Sequence, residues 1–385
     1  MTSPTGPVAI EFPAWPRLTD EDISAVVDVL KSSQLSQLSS QAVADFEHLL
    51  ASFIGRQYAV AVNSGTAAIH TALAALDIGA GDEVVVPSHT FIGSASPIVH
   101  QGAKPVFVDV DDETYCMCPE SLWQAITPRT RAIIAVHLNG ASAPMDEISA
   151  IATHCDIPVI EDVAQAIGGS CRERRLGSIG ELAAFSFWED KIITTGGEGG
   201  AVLTDDARLA DKMRRFRHHG EHRPPGARTY ASVEFGHNYR MTAMQAALGA
   251  SQLRRIMGFL AARERNAQAL TKGLSDVRGL QVPEEALDFR HAYWKYVCRI
   301  LSGNEDLIDR ITVELRERGV PAFRRYPVPL HRQPAFERLG LGTQPCPVTE
   351  RLASELFSLP VHPLINECHI EYMVDSVTTT LSNYL

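Results

Sequence analysis

The stretch "FSFWEDKIITTGGEGG", Phe185 to Gly200, begins as an apolar strand, sets Lys191 just past the strand's end and then runs into glycines. Five other lysines can be compared with it. Lys31 falls on the polar side of the amphipathic pattern "DEDISAVVDVLKSS", and Lys104 lies in the turn "QGAKP". Lys212 and Lys272 sit in helical patterns among charged or polar neighbours, and Lys295 is in the strand-like "YWKYV", where it can point to solvent. Lys191 alone follows a strand end and precedes a glycine-rich turn. In a confined, dry site the ammonium form is disfavoured, so the amine loses its proton more easily and becomes a nucleophile. Such a lysine forms Schiff bases with carbonyl compounds.

Around it, "FSF" is one of a series of short apolar runs: "AVAV" (59–62), "EVVVP" (83–87), "PVFVDV" (105–110), "AIIAVHL" (132–138), "PVIEDV" (158–163), "AAFSF" (183–187) and "AVLT" (201–204). Helical patterns lie between several of them, such as "GTAAIHTALAAL" (65–76) and "MDEISAIATHC" (145–155). This alternation predicts an α/β fold with a mostly parallel sheet covered on both faces. The segment 208–240, rich in Arg, His, Pro and Gly, reads as a long loop. The run 242–274 predicts one long helix leading into a second domain. That domain holds "AYWKYVCRI" (292–300), a helix over 305–319, a Pro-punctuated loop around 321–335 and two closing helices after 349 and 367. The expected division is a large α/β domain over 1–255 and a smaller C-terminal α+β domain over 256–385, with the N-terminal segment a candidate to pack on the smaller one.

In open α/β sheets ligands sit outside the carboxyl ends of the strands. The polar and glycine positions collect there: "NSGTAAIH", "SHTF", "LNGAS", "EDVAQAIG" and "WEDK" each follow a strand. Ser64, Gly65 and Thr66 open a helix, whose free amides and dipole make an anion site. Taken alone, they fit a plain helix cap at least as well. Glu161 and Asp162 close a buried strand, where a carboxylate needs a cation or several donors. A partner for a protonated ring nitrogen and a structural ion pair account for them equally. Together, Lys191, Asp162 and the Ser-Gly-Thr turn supply the three features pyridoxal 5'-phosphate requires: a Schiff-base lysine, a carboxylate for the pyridinium and a phosphate site.

The totals agree. The chain has 385 residues, 45% of them hydrophobic, and a net charge of −11. That charge argues against a nucleic-acid groove, since phosphate backbones attract basic faces. Seven cysteines without paired spacing predict a reduced chain in the cytoplasm. The N-terminus has no signal-peptide pattern and no apolar run is long enough to cross a membrane. "CMC" (116–118) has no second pair at zinc spacing, whereas "HHGEH" (218–222) looks like a metal site on its own.

The combination "NSGTAAIHTAL", "GDEVVVPSHTFIGSA", "PVFVDVD", "VIEDVAQAIG", "FSFWEDKIITTGGEGG", "HNYRMTAMQAALGASQL" and "YPVPLHRQPAF" resembles the DegT/DnrJ/EryC1/StrS sugar aminotransferases over roughly 60–336. These are pyridoxal-phosphate enzymes of the aspartate-aminotransferase fold (fold type I). The resemblance implies that Lys191 holds the cofactor and shuttles the proton, while Asp162 keeps the pyridine nitrogen protonated. It implies that Gln165 lies near the phenolic oxygen, that Phe91 stacks on the ring, and that Gly65, Thr66 and Ser186, with Ser64, bind the phosphate. Asn238 would reach the cofactor phosphate of a neighbouring subunit, which implies a homodimer with shared sites. Arg240 is a candidate for the donor's carboxylate or a nucleotide, with a structural arginine the equal alternative. Tyr326 and His331 are candidate sugar-nucleotide contacts, while His137 and His362 read as loop or core histidines. For "HHGEH" the resemblance implies a loop near the active site without metal, so no metal is expected.

The implied reaction moves an amino group from glutamate or glutamine to a keto group of a nucleotide-linked deoxy sugar, as in amino-sugar formation for secondary metabolism. A cyclitol or carbocyclic ketone is the alternative acceptor. A sugar dehydratase and a non-catalytic cofactor-binding regulator are further alternatives; retention of lysine and the lack of a basic face weigh against them. One departure stands out: the family usually has His-Pro between "FSF" and the lysine, and this chain has Trp188-Glu189-Asp190.

Overall fold

The computed structural model describes residues 10–222, 230–284, 288–301 and 303–384. The first nine residues of the N-terminal reading, and 223–229 of the expected loop, lie outside the described residues.

All seven expected strands form, and they share one sheet. In chain order they are β1 (Tyr58–Val62), β2 (Glu83–Pro87), β3 (Lys104–Val108), β4 (Thr130–Val136), β5 (Val159–Asp162), β6 (Leu182–Ser186) and β7 (Gly200–Thr204). Their spatial order is β1-β7-β6-β5-β4-β2-β3. β7 is antiparallel to β1 and β6, while β2, β3, β4, β5 and β6 pair in parallel. Val84, Val85, Val86, Ile133, Ile134 and Ala135 are fully buried, so neighbouring residues on opposite faces are both covered. This is why the strands read as unbroken apolar runs rather than alternating ones.

A second sheet is antiparallel, with strands β8 (Leu280–Gln281), β9 (Tyr296–Ile300), β10 (Phe323–Arg324) and β11 (Leu356–Leu359) in the order β8-β9-β11-β10. It contributes to a separate core that includes Leu270, Tyr296, Ile311, Phe357 and Met373, against which Ile10 and Phe12 pack.

Three expectations change. Residues Ala207–Phe216 form a helix rather than the start of a loop: Asp206 caps it, and Ala210, Met213 and Phe216 are buried at three-residue spacing beneath a charged exterior. The run 242–274 is two helices, Ala243–Arg254 and Ile256–Leu274, broken at Arg255, whose guanidinium turns to the buried carboxylate of Asp22. The strand read as "YWKYV" starts at Tyr296, so Lys295 precedes it. Among the described residues no helix is long and apolar enough to cross a membrane.

Candidate active site

The carboxyl ends of β1, β2, β5 and β6 open on one cavity of about 600 Å³. Its lining includes Ser64, Gly65, Thr66, Phe91, Asp162, Gln165, Ser186, Lys191 and Tyr326. Nine positions singled out in the sequence, from five separate stretches, thus meet in one place.

Lys191 is 9% exposed, and its Nζ lies 3.9 Å from the centre of the Trp294 ring. Burial pulls its pKa down to about 7; Asp162 opposes that shift and Arg325 adds to it. The backbone is tied at both ends: Lys191 donates its amide to Trp188 O at 2.9 Å, and its carbonyl accepts from Trp15 Nε1 at 2.9 Å.

Asp162 and Glu161 alternate across β5 and so face opposite sides of the sheet. Asp162 Oδ2 accepts from Ser94 Oγ at 2.7 Å and lines the cavity. Glu161 points away into the core. Its Oε2 accepts from Gly177 N at 2.7 Å and contacts His137 Nε2 at 3.1 Å, and its Oε1 accepts from Ile179 N and Gly180 N at 2.7 Å each. Burial alone would raise the Glu161 carboxyl. His137 and the amides outweigh it and hold the group below its ordinary range. Strand alternation places Asp162, the carboxylate singled out in the sequence, in the cavity and turns Glu161 into the core.

Ser64 caps the helix Gly65–Ala75, accepting from Ala67 N at 3.1 Å. The amides of Gly65 and Thr66, at the first two positions, have no intrahelical carbonyl to bond. A Cβ on Gly65 would stand 2.6 Å from Ser186 Cβ, and one on Gly93 would stand 2.9 Å from Thr66 Oγ1. Glycine is needed at both points to leave room in front of the helix end. A buried amine, a held carboxylate and an open helix N-terminus in one cavity fit pyridoxal phosphate, whose aldehyde, ring nitrogen and phosphate need those three groups.

Gln165 Oε1 accepts from Asn139 N at 2.8 Å, which fixes its amide so that Nε2 donates to Tyr326 Oη at 2.8 Å. Phe91 is 59% exposed at the cavity's edge, and Trp188 is 39% exposed there.

Other expected positions lie elsewhere. Arg240 contacts His218 Nδ1 at 2.7 Å, and Asn238 is exposed; neither lines this chain's cavity. His331 is fully buried, with Nδ1 2.6 Å from Ser88 Oγ and Nε2 2.9 Å from Glu350 Oε1, and is not at the cavity. His137 is a core residue on Glu161, and His362 stacks on Trp15.

Four neighbours of the site escape a reading of the sequence. Ser94 holds Asp162, and Trp294 covers Lys191. Arg325 lines the cavity next to Tyr326; the doubled arginine before "YPVPLH" is its signal. Lys295 does not point to solvent. It donates to Asp190 Oδ2 at 2.7 Å, and burial lowers its pKa as well.

A fold that carries a buried lysine, a held carboxylate and an open helix N-terminus to the same sheet edge fits the pyridoxal-phosphate aminotransferases. The chain belongs to the DegT/DnrJ/EryC1/StrS aminotransferase family, whose sequence pattern matches residues 16–378. It is 37% identical to the GDP-perosamine synthase of Caulobacter vibrioides over 96% of this chain and 97% of that protein. Among solved structures, it is similar to an aminotransferase from Psychrobacter cryohalolentis, with TM-score 0.90 and 38% identity over 97% of this chain and 99% of the other. It is also similar to a 3-amino-5-hydroxybenzoic acid synthase, with TM-score 0.91 and 31% identity over 98% of this chain and all of the other. The protein is therefore an aminotransferase, and its cofactor is pyridoxal phosphate.

Proposed function

We propose that this enzyme transfers an amino group from glutamate or glutamine to a keto group of a nucleotide-linked deoxy sugar. The observation that carries the reading is the meeting of Lys191, Asp162 and the Gly65 helix end in one cavity. The likeness to a GDP-perosamine synthase supports the sugar acceptor.

When bound, pyridoxal phosphate supplies an electron sink and a carrier for the amino group. In this reading Lys191 anchors it and moves the proton at the reacting substrate carbon. A pKa of about 7 lets Nζ act as base and as acid near neutral pH. Asp162, fixed by Ser94, holds a proton on the ring nitrogen. Ser64, Gly65, Thr66 and Ser186 bind the phosphate, Phe91 covers the ring, and Gln165 sits beside the phenolic oxygen. Tyr326 contacts substrate, and the buried His331 supports the loop that carries it.

Asn238 acts, in this reading, at the cofactor phosphate of a second copy, while Arg240, 2.7 Å from His218 Nδ1, is the structural arginine. Val233 and the fully exposed Phe235 present apolar surface on the same segment, which supports a homodimer. The two-domain division near 255 and a cytoplasmic setting belong to the same reading.

A carbocyclic ketone is the second reading, favoured by the similarity to a 3-amino-5-hydroxybenzoic acid synthase. Incubation with nitrogen-labelled glutamate or glutamine and a panel of keto sugars and carbocyclic ketones, read by mass spectrometry, separates the two. Label in an amino sugar supports the first. Label only in a carbocyclic amine supports the second, and a deoxy product without label contradicts both.

A further inference from the structure

Arg325 carries the only guanidinium on the cavity lining among the described residues. The other cations nearby are engaged. Lys295 pairs with Asp190, and buried Arg263 gives Nη1 to the carbonyls of Tyr293 and Trp294 at 3.1 Å each. Arg240 lies away on His218. No carboxylate among the described residues pairs with Arg325.

Its position is nonetheless fixed. Arg325 Nη2 donates to Asn139 Oδ1 and to Tyr326 Oη, each at 3.2 Å. Its Cζ lies 4.7 Å from the Tyr326 ring centre and 5.0 Å from that of Trp294. Nε is buried without a partner, and Nη1 makes no hydrogen bond with a described residue. The Tyr326 hydroxyl accepts from both Gln165 Nε2 and Arg325 Nη2, so its own proton is left to donate. Burial raises the Tyr326 pKa, which keeps that proton in place.

A held guanidinium with spare donors, beside a hydroxyl with a spare proton, is a carboxylate site. Its location selects which carboxylate. Arg325 and Lys191 flank the same indole of Trp294. An amino acid whose amine is presented to Lys191 has its α-carboxylate one carbon from the reacting centre, whereas a side-chain carboxylate is several bonds further out.

We propose that Arg325, with the Tyr326 hydroxyl, binds the α-carboxylate of the amino donor and makes the enzyme selective for α-amino acids. The role that the sequence offered to Arg240 falls, within one chain, to Arg325. This inference rests on the aminotransferase reading of the cavity.

The test is the donor half-reaction of the cofactor-loaded enzyme without acceptor, followed by its visible absorbance. L-glutamate is compared with its α-amide and with its γ-amide, glutamine. Wild type is expected to react with glutamate about 10- to 100-fold more efficiently than with the α-amide, the usual worth of a hydrogen-bonded charge. Arg325→Gln should lose that preference by slowing glutamate while the α-amide changes little. Arg325→Lys, which keeps the charge but not the fork, should fall between. Calorimetry should show glutarate binding the loaded wild type more tightly than it binds loaded Arg325→Gln. Equal rates with glutamate and its α-amide in wild type overturn the proposal while the aminotransferase reading stands. So does equal slowing of both by Arg325→Gln with the cofactor still bound. If no amino acid discharges the wild-type absorbance, both readings fall.

Discussion

Lys191 Nζ lies 3.9 Å from the centre of the Trp294 ring, which joins the segment after β6 to the turn before β9 across more than a hundred residues of chain. The indole closes the lysine off from water, and burial is the main reason its pKa falls to about 7 from the ordinary 10.5. Asp162 pulls in the other direction. Burial and the Asp162 charge therefore set the amine's basicity in opposite directions.

That balance has a cost in stability with a definite sign. Between pH about 7 and 10.5 the unfolded chain keeps a proton on Lys191 that the folded, cofactor-free protein has released. Wild-type stability should therefore rise with pH across this window. Lys191→Met, which has no charge to bury, is expected to be the more stable apoprotein by a few kcal/mol below about pH 7, because each tenfold loss of proton affinity on folding costs about 1.4 kcal/mol. The gap should close toward pH 10.5. Urea unfolding at several pH values measures it, and a pH-independent gap would contradict the burial account.

Removing the opposing charge should expose the other half of the balance. In Asp162→Asn, the Lys191 amine loses the group that holds its pKa up, so its reaction with an acylating reagent should begin at lower pH than in wild type. The rate-pH profile of Lys191 labelling in apoprotein reads this directly. An unmoved profile would mean that Asp162 does not act on Lys191.

Gly65→Ala tests the phosphate end. The new Cβ would meet Ser186 Cβ at 2.6 Å, closer than such atoms approach, so the helix end or Ser186 must shift. Cofactor affinity should fall about tenfold or more, the equivalent of a lost hydrogen bond or two to an anion. Overall stability should change by far less than in a core truncation. Cofactor titration followed by absorbance checks the first, and thermal unfolding of apoprotein checks the second.

Glu161 should behave as a purely structural residue. Its folded-state pKa is depressed, so its contribution is present above its ordinary pKa near 4.5 and is lost as pH falls through the folded value. Glu161→Gln is expected to destabilise the protein at neutral pH by about 3 kcal/mol, as expected for a buried partner removed from a charge and several donors. The deficit should shrink in acid. Loss of cofactor chemistry in a folded Glu161→Gln protein would reverse the assignments of Glu161 and Asp162.

Much of this is legible in the sequence. Strands buried on both faces write themselves as unbroken apolar runs, and all seven can be read because local composition decides them. Lys191, Asp162 and the Ser64–Thr66 turn can be read because strand ends are where such sheets bind ligands. Contacts made across distance are not legible. Trp294 reaches the cavity from beyond β7 with no local pattern to mark it, and the doubled arginine is the one local signal for Arg325. Lys295 reads as solvent-facing, yet Asp190 draws it inward. The helix 207–216 is hidden because its three buried residues are outnumbered by charges. Trp188 remains the position where the chain departs from the usual family residue, and the structure places it at the cavity's edge.

All of the chemistry turns on Lys191, and not the half-buried Lys295, carrying the cofactor. Loading the protein with pyridoxal phosphate, reducing with borohydride and mapping the labelled peptide by mass spectrometry decides between the two lysines. A single reduced adduct on Lys191, absent in Lys191→Ala, is the expected result. An adduct on Lys295, or none on either lysine in a protein saturated with cofactor, would refute the assignment.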